Sequence, residues 1–211
     1  MMKPKCRFIL KRTLLFLVLL VVSFPVLSQS PSKKHRTTTG VLARTITQNS
    51  TTDSEKAEAI FYWIANHISY DHELHNSTAL QKKIYTSEEN VIKHVLARKK
   101  ALCGGYAFLF KELCERVGIT SEVIHGYSKK YTRRSGSNPR VDHSWNAVKL
   151  NGKWQLLDVN WAVSQKVNAK INTYWYLTRP EHFIYTHFPQ DPKWTLLKHP
   201  PSRADFLGVA Q

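Results

Sequence analysis

Three side chains in this sequence have the chemistry of a nucleophile and its proton carriers: a thiol, an imidazole and a carboxylate. The thiol is Cys103, in Ala101-Leu102-Cys103-Gly104-Gly105-Tyr106, where coil is expected to turn into helix. A sulfur at a helix N-terminus meets unpaired N–H groups and the positive end of the helix dipole. Both favour thiolate, the reactive form. Arg98, Lys99 and Lys100 lie just upstream and push the same way if they approach. Gly104 and Gly105 leave space beside the sulfur for a substrate's backbone. The bland alternative for Cys103 is a buried small hydrophobe, the usual fate of a free cysteine. Cys114 suits that alternative better. It sits among Phe110, Leu113 and Val117. It also lies about 16 Å up the same helix, whereas a disulfide needs Cα atoms within about 7 Å.

The imidazole and carboxylate come from a hairpin. Asn151-Gly152 is the strongest short hairpin signal. It joins two expected strands, Asp142 to Leu150 and Lys153 to Asn160. A two-residue turn there sets Leu150 opposite Lys153 and His143 opposite Asn160. Asp158 is then the diagonal neighbour of His143 on one face, about 7–8 Å away at Cα and within side-chain reach. In that geometry Asp158 holds the Nδ1–H of His143, and Nε2 is left to face a thiol. A one-residue slip would separate the two onto opposite faces. Each residue alone has a plain reading: histidines in strands are mostly structural, and an Asp late in a strand often caps a turn.

Other groups that could bind or react are weaker. Asp71-His72-Glu73-Leu74-His75 is not a metal-binding HExxH and has no clear third ligand. No metal and no cofactor are expected.

The elements that must position Cys103, His143 and Asp158 follow from periodicity. Thr52 with Glu55 is a capping box, followed by Ala57, Ile60, Phe61, Ile64 and Ile68 at helical spacing. Ser87 with Glu88 and Glu89 opens a helix with the stripe Val91, Ile92, Val95 and Leu96. A third helix runs from near Cys103 to Val117 and stops at Gly118. The period then becomes two, giving a strand over Glu122 to Tyr127 and the hairpin. Helices first and an antiparallel sheet after make the class α+β. Ser128 to Arg140 is an expected exposed basic loop, and the proline-rich stretch from Pro180 is expected as coil with short elements.

Composition bounds the rest. The 211 residues are 42% hydrophobic, which excludes a wholly disordered chain, and three cysteines are too few for a disulfide scaffold. Residues 1–28 carry a basic start (Lys3, Lys5, Arg7, Lys11, Arg12) and an apolar run from Thr13 to Leu27. That is a signal peptide, with an uncleaved anchor as the alternative. The expected address is secreted or periplasmic, with membrane contact only if the signal stays on. Removing five cations from the formal +16 leaves +11. Export argues against nucleic acid as the partner. Residues 29–51, rich in Ser, Thr and Lys, are expected to form a flexible leader, docking at most through Val41, Leu42 and Ile46. Residues 52–211 form the folded domain.

Three ordered blocks carry a resemblance. They are Leu102-Cys103-Gly104-Gly105-Tyr106-Ala107, Asp142-His143-Ser144-Trp145-Asn146-Ala147-Val148, and Gly152-Lys153-Trp154 through Asp158-Val159-Asn160-Trp161. Together they resemble the transglutaminase-like superfamily, most of all its bacterial and kyphoscoliosis-peptidase-like branch. Trp63, Ile68, Tyr70 and Asp71 resemble the segment upstream of the cysteine. His187-Phe188-Pro189 through Leu197 resembles the closing segment. Asn160 stands where that branch often has Thr. The resemblance implies a papain-like core with Cys103 as nucleophile, His143 as base and Asp158 as orienting acid. Gly104, Gly105, Tyr106, Trp145 and Trp161 are assigned to substrate binding. The implied activity is acyl transfer on a protein, peptide or amide substrate, with hydrolysis favoured. Cross-linking to an amine and a non-catalytic binding module are the alternatives. The Ser128–Arg140 loop is a possible rim that attracts anionic cell-surface polymers.

Overall fold

The computed structural model describes residues 33–129 and 140–208. The expected signal peptide and most of the basic loop, residues 130–139, lie outside the described residues. Within the expected flexible leader the chain instead forms helix α1 (Lys33–Ile46). The expected docking residues are not its main contact: Val41 is 51% exposed, while Leu42 and Ile46 are only partly buried. The buried face is Thr39, Gly40, Ala43 and Thr47, all small. Such residues carry little hydropathy signal, so the pattern reads as a linker.

Helix α2 (Asp53–His67) opens on the expected capping box, and its stripe Ala57, Ile60, Phe61 and Ile64 is buried. Between it and the next long helix lie β1 (Ser69–Tyr70), α3 (His72–Asn76) and α4 (Thr78–Ile84), too short for periodicity to announce. Helix α5 (Glu88–Arg98) starts at Ser87, whose hydroxyl accepts the Asn90 N–H. Strand β2 (Lys100–Ala101) pairs in parallel with β1 and leads directly into α6 (Cys103–Arg116). Asp71 fixes this corner. Its buried carboxylate accepts the Leu74 N–H at 2.9 Å and an Arg98 fork whose shortest arm is 2.8 Å. Helix α6 packs against α1, α2, α5 and the main sheet.

That sheet is antiparallel, in the order β5-β4-β3-β6, with β3 (Ser121–Ser128), β4 (His143–Leu150), β5 (Lys153–Leu157) and β6 (His187–Pro189). Asn151 and Gly152 have φ of 51° and 76°, the left-handed pair that a tight hairpin turn requires. The register is the one expected: Leu150 faces Lys153 and Asn146 faces Leu157. The strand then ends early. Asp158 becomes the N-cap of helix α7 (Val159–Ser164), accepting the Trp161 N–H at 2.9 Å, and the expected pairing of His143 with Asn160 does not form. A carboxylate that satisfies helix N–H groups has competed successfully with strand continuation.

Two contacts hold the sheet to its surroundings. Asn146 donates to the Ala107 carbonyl of α6 at 3.0 Å. Gly126 on β3 lies between His143 on β4 and Pro189 on β6. A Cβ at Gly126 would come within 2.2 Å of the Phe188 carbonyl oxygen and 2.5 Å of the Trp145 ring. Only glycine lets β6 close against β3 under that ring. Helices α8 (Pro180–Phe183) and α9 (Arg203–Leu207) and 3-10 turns at Thr173–Trp175 and Pro192–Thr195 complete the C-terminal stretch. The molecule is α+β, as expected. No helix among the described residues is long and apolar enough to cross a membrane.

Candidate active site

Cys103 is the first residue of α6 and is partly exposed. The N-cap, Leu102, offers no side-chain cap to the first turn. A residue from elsewhere does. Tyr85, just past α4, accepts the Gly105 N–H through its phenol oxygen, and its ring lies beside Gly104. A Cβ at Gly104 would be 3.3 Å from that ring. Burial, then the negative charge available at Cys103, pushes the Tyr85 hydroxyl well above its usual range, so it stays protonated. Tyr85 as a whole is 38% exposed. Sequence reading missed it, because nothing local ties Tyr85 to the start of α6.

His143 begins β4 and is fully buried, with Cys103 near enough to favour its charged form. Its Nε2–H donates to Asp158 Oδ2 at 2.6 Å. The three expected residues therefore converge, with one correction. Nε2 serves Asp158, so Nδ1 is the nitrogen that remains for the sulfur, the reverse of the expectation. The reason is the helix that replaces the end of β5: it draws the Asp158 carboxylate to the far side of the ring. Burial opposes the charged form of His143. The Asp158 charge and hydrogen bond, with the Cys103 contact, outweigh it and raise the imidazole to about 10. Burial likewise works against the Asp158 anion, yet His143 and a second histidine hold its carboxyl below the usual range.

That second histidine is His187, on β6. Its Nε2–H donates to the same oxygen, Asp158 Oδ2, at 3.0 Å. Thr186 Oγ1 lies 2.9 Å from its Nδ1. Burial pushes His187 down to about 4, against the pull of Asp158. The sequence shows His187 only as part of a closing segment, with no signal of this contact. Nε2 of His143, Nε2 of His187 and an Asp158 oxygen are close enough to suggest a metal cluster. Both nitrogen–oxygen contacts are proton-bridged, however, and the other Asp158 oxygen takes the Trp161 N–H. The donor set fits a proton network.

The five residues assigned to substrate are differently employed. Tyr106 is buried, and its hydroxyl donates to the Ile68 carbonyl at 3.0 Å. Trp145 and Trp161 are buried and flank His143, with ring centroids 5.9 and 5.7 Å away. A Cβ at Gly105 would meet Val95 at 2.9 Å, so this glycine lets α6 pack on α5. Gly104 is buried under Tyr85. These residues build the site's walls and backing. Arg98 does not turn to the thiol, because Asp71 and Glu73 engage it. Cys114 is buried and unbonded, and burial pushes its thiol up. His72 and His75 line an open hollow of about 570 Å³ with Tyr70 and Lys166, between β1–α3 and α7. The elements on its two sides lead to Ala101, just ahead of the nucleophile, and to Asp158.

Comparison with known proteins agrees with this geometry. Residues 41–159 match the family described as the transglutaminase-like superfamily. The chain is 35% identical to human kyphoscoliosis peptidase over 175 residues, 78% of this chain and 25% of that protein. It is 31% identical to hillarin of Drosophila melanogaster over 80% of this chain and 22% of the relative. It is 30% identical to the Lim and transglutaminase domain protein ltd-1 of Caenorhabditis elegans over 80% and 24% respectively. The chain thus spans about a quarter of the length of these relatives. The matched segment contains Cys103, His143 and Asp158 and ends before His187. The chain belongs to the transglutaminase-like superfamily.

Proposed function

We propose that the protein is an exported thiol hydrolase that cleaves peptide or other amide bonds through Cys103, His143 and Asp158. The observation that carries this reading is a partly exposed sulfur at a helix N-terminus, near an imidazole whose Nε2 is held by a buried carboxylate. The Cys103 sulfur attacks the amide carbonyl, and the carbonyl π pair moves onto oxygen. The Cys103 N–H and the Tyr85 hydroxyl are donors suited to that oxyanion. On collapse, His143 passes its Nδ1 proton to the leaving amine. The acyl-enzyme is then opened by water, whose proton returns to Nδ1. Asp158 keeps Nε2 protonated throughout.

Water as acceptor is supported by the peptidase name of the human relative. Export is supported by the basic and apolar character of residues 1–28. The test is mass spectrometry of the wild type and Cys103→Ala with peptide libraries, with and without added amines. Cleavage by the wild type alone is the expected result. Amine incorporation would replace hydrolysis with cross-linking, and no reaction in either mixture would leave a binding module.

A further inference from the structure

We propose that His187 is a positioning residue that sets how tightly His143 holds its proton, acting through the oxygen of Asp158 that the two histidines share. This rests on the thiol-hydrolase reading for the use of that proton, but the geometry stands without it. Asp158 Oδ2 accepts from His143 at 2.6 Å and from His187 at 3.0 Å, and all three side chains are buried. An anionic oxygen facing a bare ring nitrogen would be repelled, so Nε2 of His187 carries the proton. Its Nδ1 then takes the Thr186 hydroxyl, which also lies 3.2 Å from the Phe183 carbonyl. The charged and titratable groups facing His187 are Asp158 and His143. The rest of its surroundings is aromatic: Phe183 at 4.1 Å, Trp161 at 4.3 Å, Trp145 at 5.1 Å and Trp175 at 5.4 Å between ring centroids.

An aromatic box of this kind would seat a phenylalanine at least as well as a histidine. Besides its Nδ1 contact with Thr186, the histidine adds a donor on a carboxylate oxygen already in use. The box is also polar in an expensive way: the buried indole N–H groups of Trp145, Trp161 and Trp175 have no hydrogen-bond acceptor. Two donors on one oxygen divide its charge. With His187 removed, the whole charge would bear on His143, which would keep its proton more firmly and surrender it more slowly to a leaving amine. Alkylation of Cys103 transfers no proton to a leaving amine, so it should be spared.

The experiment compares the full chain as wild type, His187→Phe and His187→Gln. Each is assayed for cleavage of a fluorogenic peptide-amide library and for carbamidomethylation of Cys103 by iodoacetamide. For His187→Phe the expected result is a cleavage rate about tenfold lower, the effect of roughly one pKa unit at His143, with alkylation little changed. His187→Gln restores a donor and should recover most of the rate. An equal loss in both assays, or no recovery with glutamine, overturns the proposal. If the wild type cleaves no peptide, the hydrolase reading fails and imidazole nitrogen NMR decides the inference alone. Support is then a His187 Nε2–H tautomer at neutral pH and a higher His143 midpoint in His187→Phe. A His187 Nδ1–H tautomer, or an unmoved His143 midpoint, refutes it.

Discussion

Two strands of the sheet, interior β4 and edge β6, bring the same residue type to Asp158 in opposite states. At the start of β4, His143 is raised to about 10; on edge strand β6, His187 is lowered to about 4. Both are buried and both bond one oxygen, so burial alone cannot separate them. The second neighbour does. His143 has a thiol at its other face, which favours its charged form, whereas His187 has a hydroxyl and aromatic rings. A single carboxylate can neutralise one cation well, and the positive charge of His143 further discourages charging of His187.

The harshest way to break the contrast is Asp158→Ala. It removes the partner of both histidines and the cap of α7 together. Cleavage should fall by about 10⁴-fold, and urea unfolding should report a loss of about 3–5 kcal/mol. A variant that kept near-normal stability would mean that the two histidines do not depend on this carboxylate.

The second break is by pH. The folded chain resists protonation of His187 until about 4, while the unfolded chain takes that proton near the ordinary 6.5. Stability from His187 is therefore complete above about 6.5 and falls as pH drops toward 4, by about 1.4 kcal/mol per pH unit. His143 works the other way: its contribution is complete below 6.5 and is lost as pH rises toward 10. Urea midpoints measured from pH 4.5 to 9.5 should form a dome. His187→Phe should flatten the acid side and His143→Gln the alkaline side. A dome unchanged by either substitution would remove the assigned charge states.

Tyr85→Phe sharpens the comparison from the sulfur's side. It deletes the hydroxyl at the start of α6 and leaves both histidines in place. Cleavage should drop by about 10²-fold with stability changed by about 1 kcal/mol. An unaffected cleavage rate would confine Tyr85 to a structural cap. The smallest effect is expected far from Asp158. Thr39→Val removes the 2.6 Å hydrogen bond from α1 to Glu112, which should cost about 1 kcal/mol in urea unfolding and leave Cys103 alkylation alone. A change in alkylation would show that α1 reaches the site through α6.

The contrast also marks what the sequence could reveal. His143 and Asp158 were legible because one hairpin carries both and Asn151-Gly152 sets its register. Helices α2 and α5 were legible because each pairs a capped start with an apolar stripe, and α6 because Gly118 marks its stop. Which nitrogen of His143 meets the thiol was not legible, since it depends on the strand giving way to a helix at Asp158. His187 arrives from a distant edge strand through the close passage at Gly126. Tyr85 reaches Gly105 across a fold corner. Contacts of that kind have no local period to betray them. Helix α1 was missed for a related reason: its packing face consists of small residues whose burial changes hydropathy little.

Asp158 both accepts the imidazole N–H and starts a helix that closes the hydrophobic interior around Trp161. A descendant of this architecture that ceased to react would still need an acid there to keep its shape. Survival of that acid is thus a poor witness to chemistry, and decay of function should surface first at the sulfur, whose replacement disturbs little else.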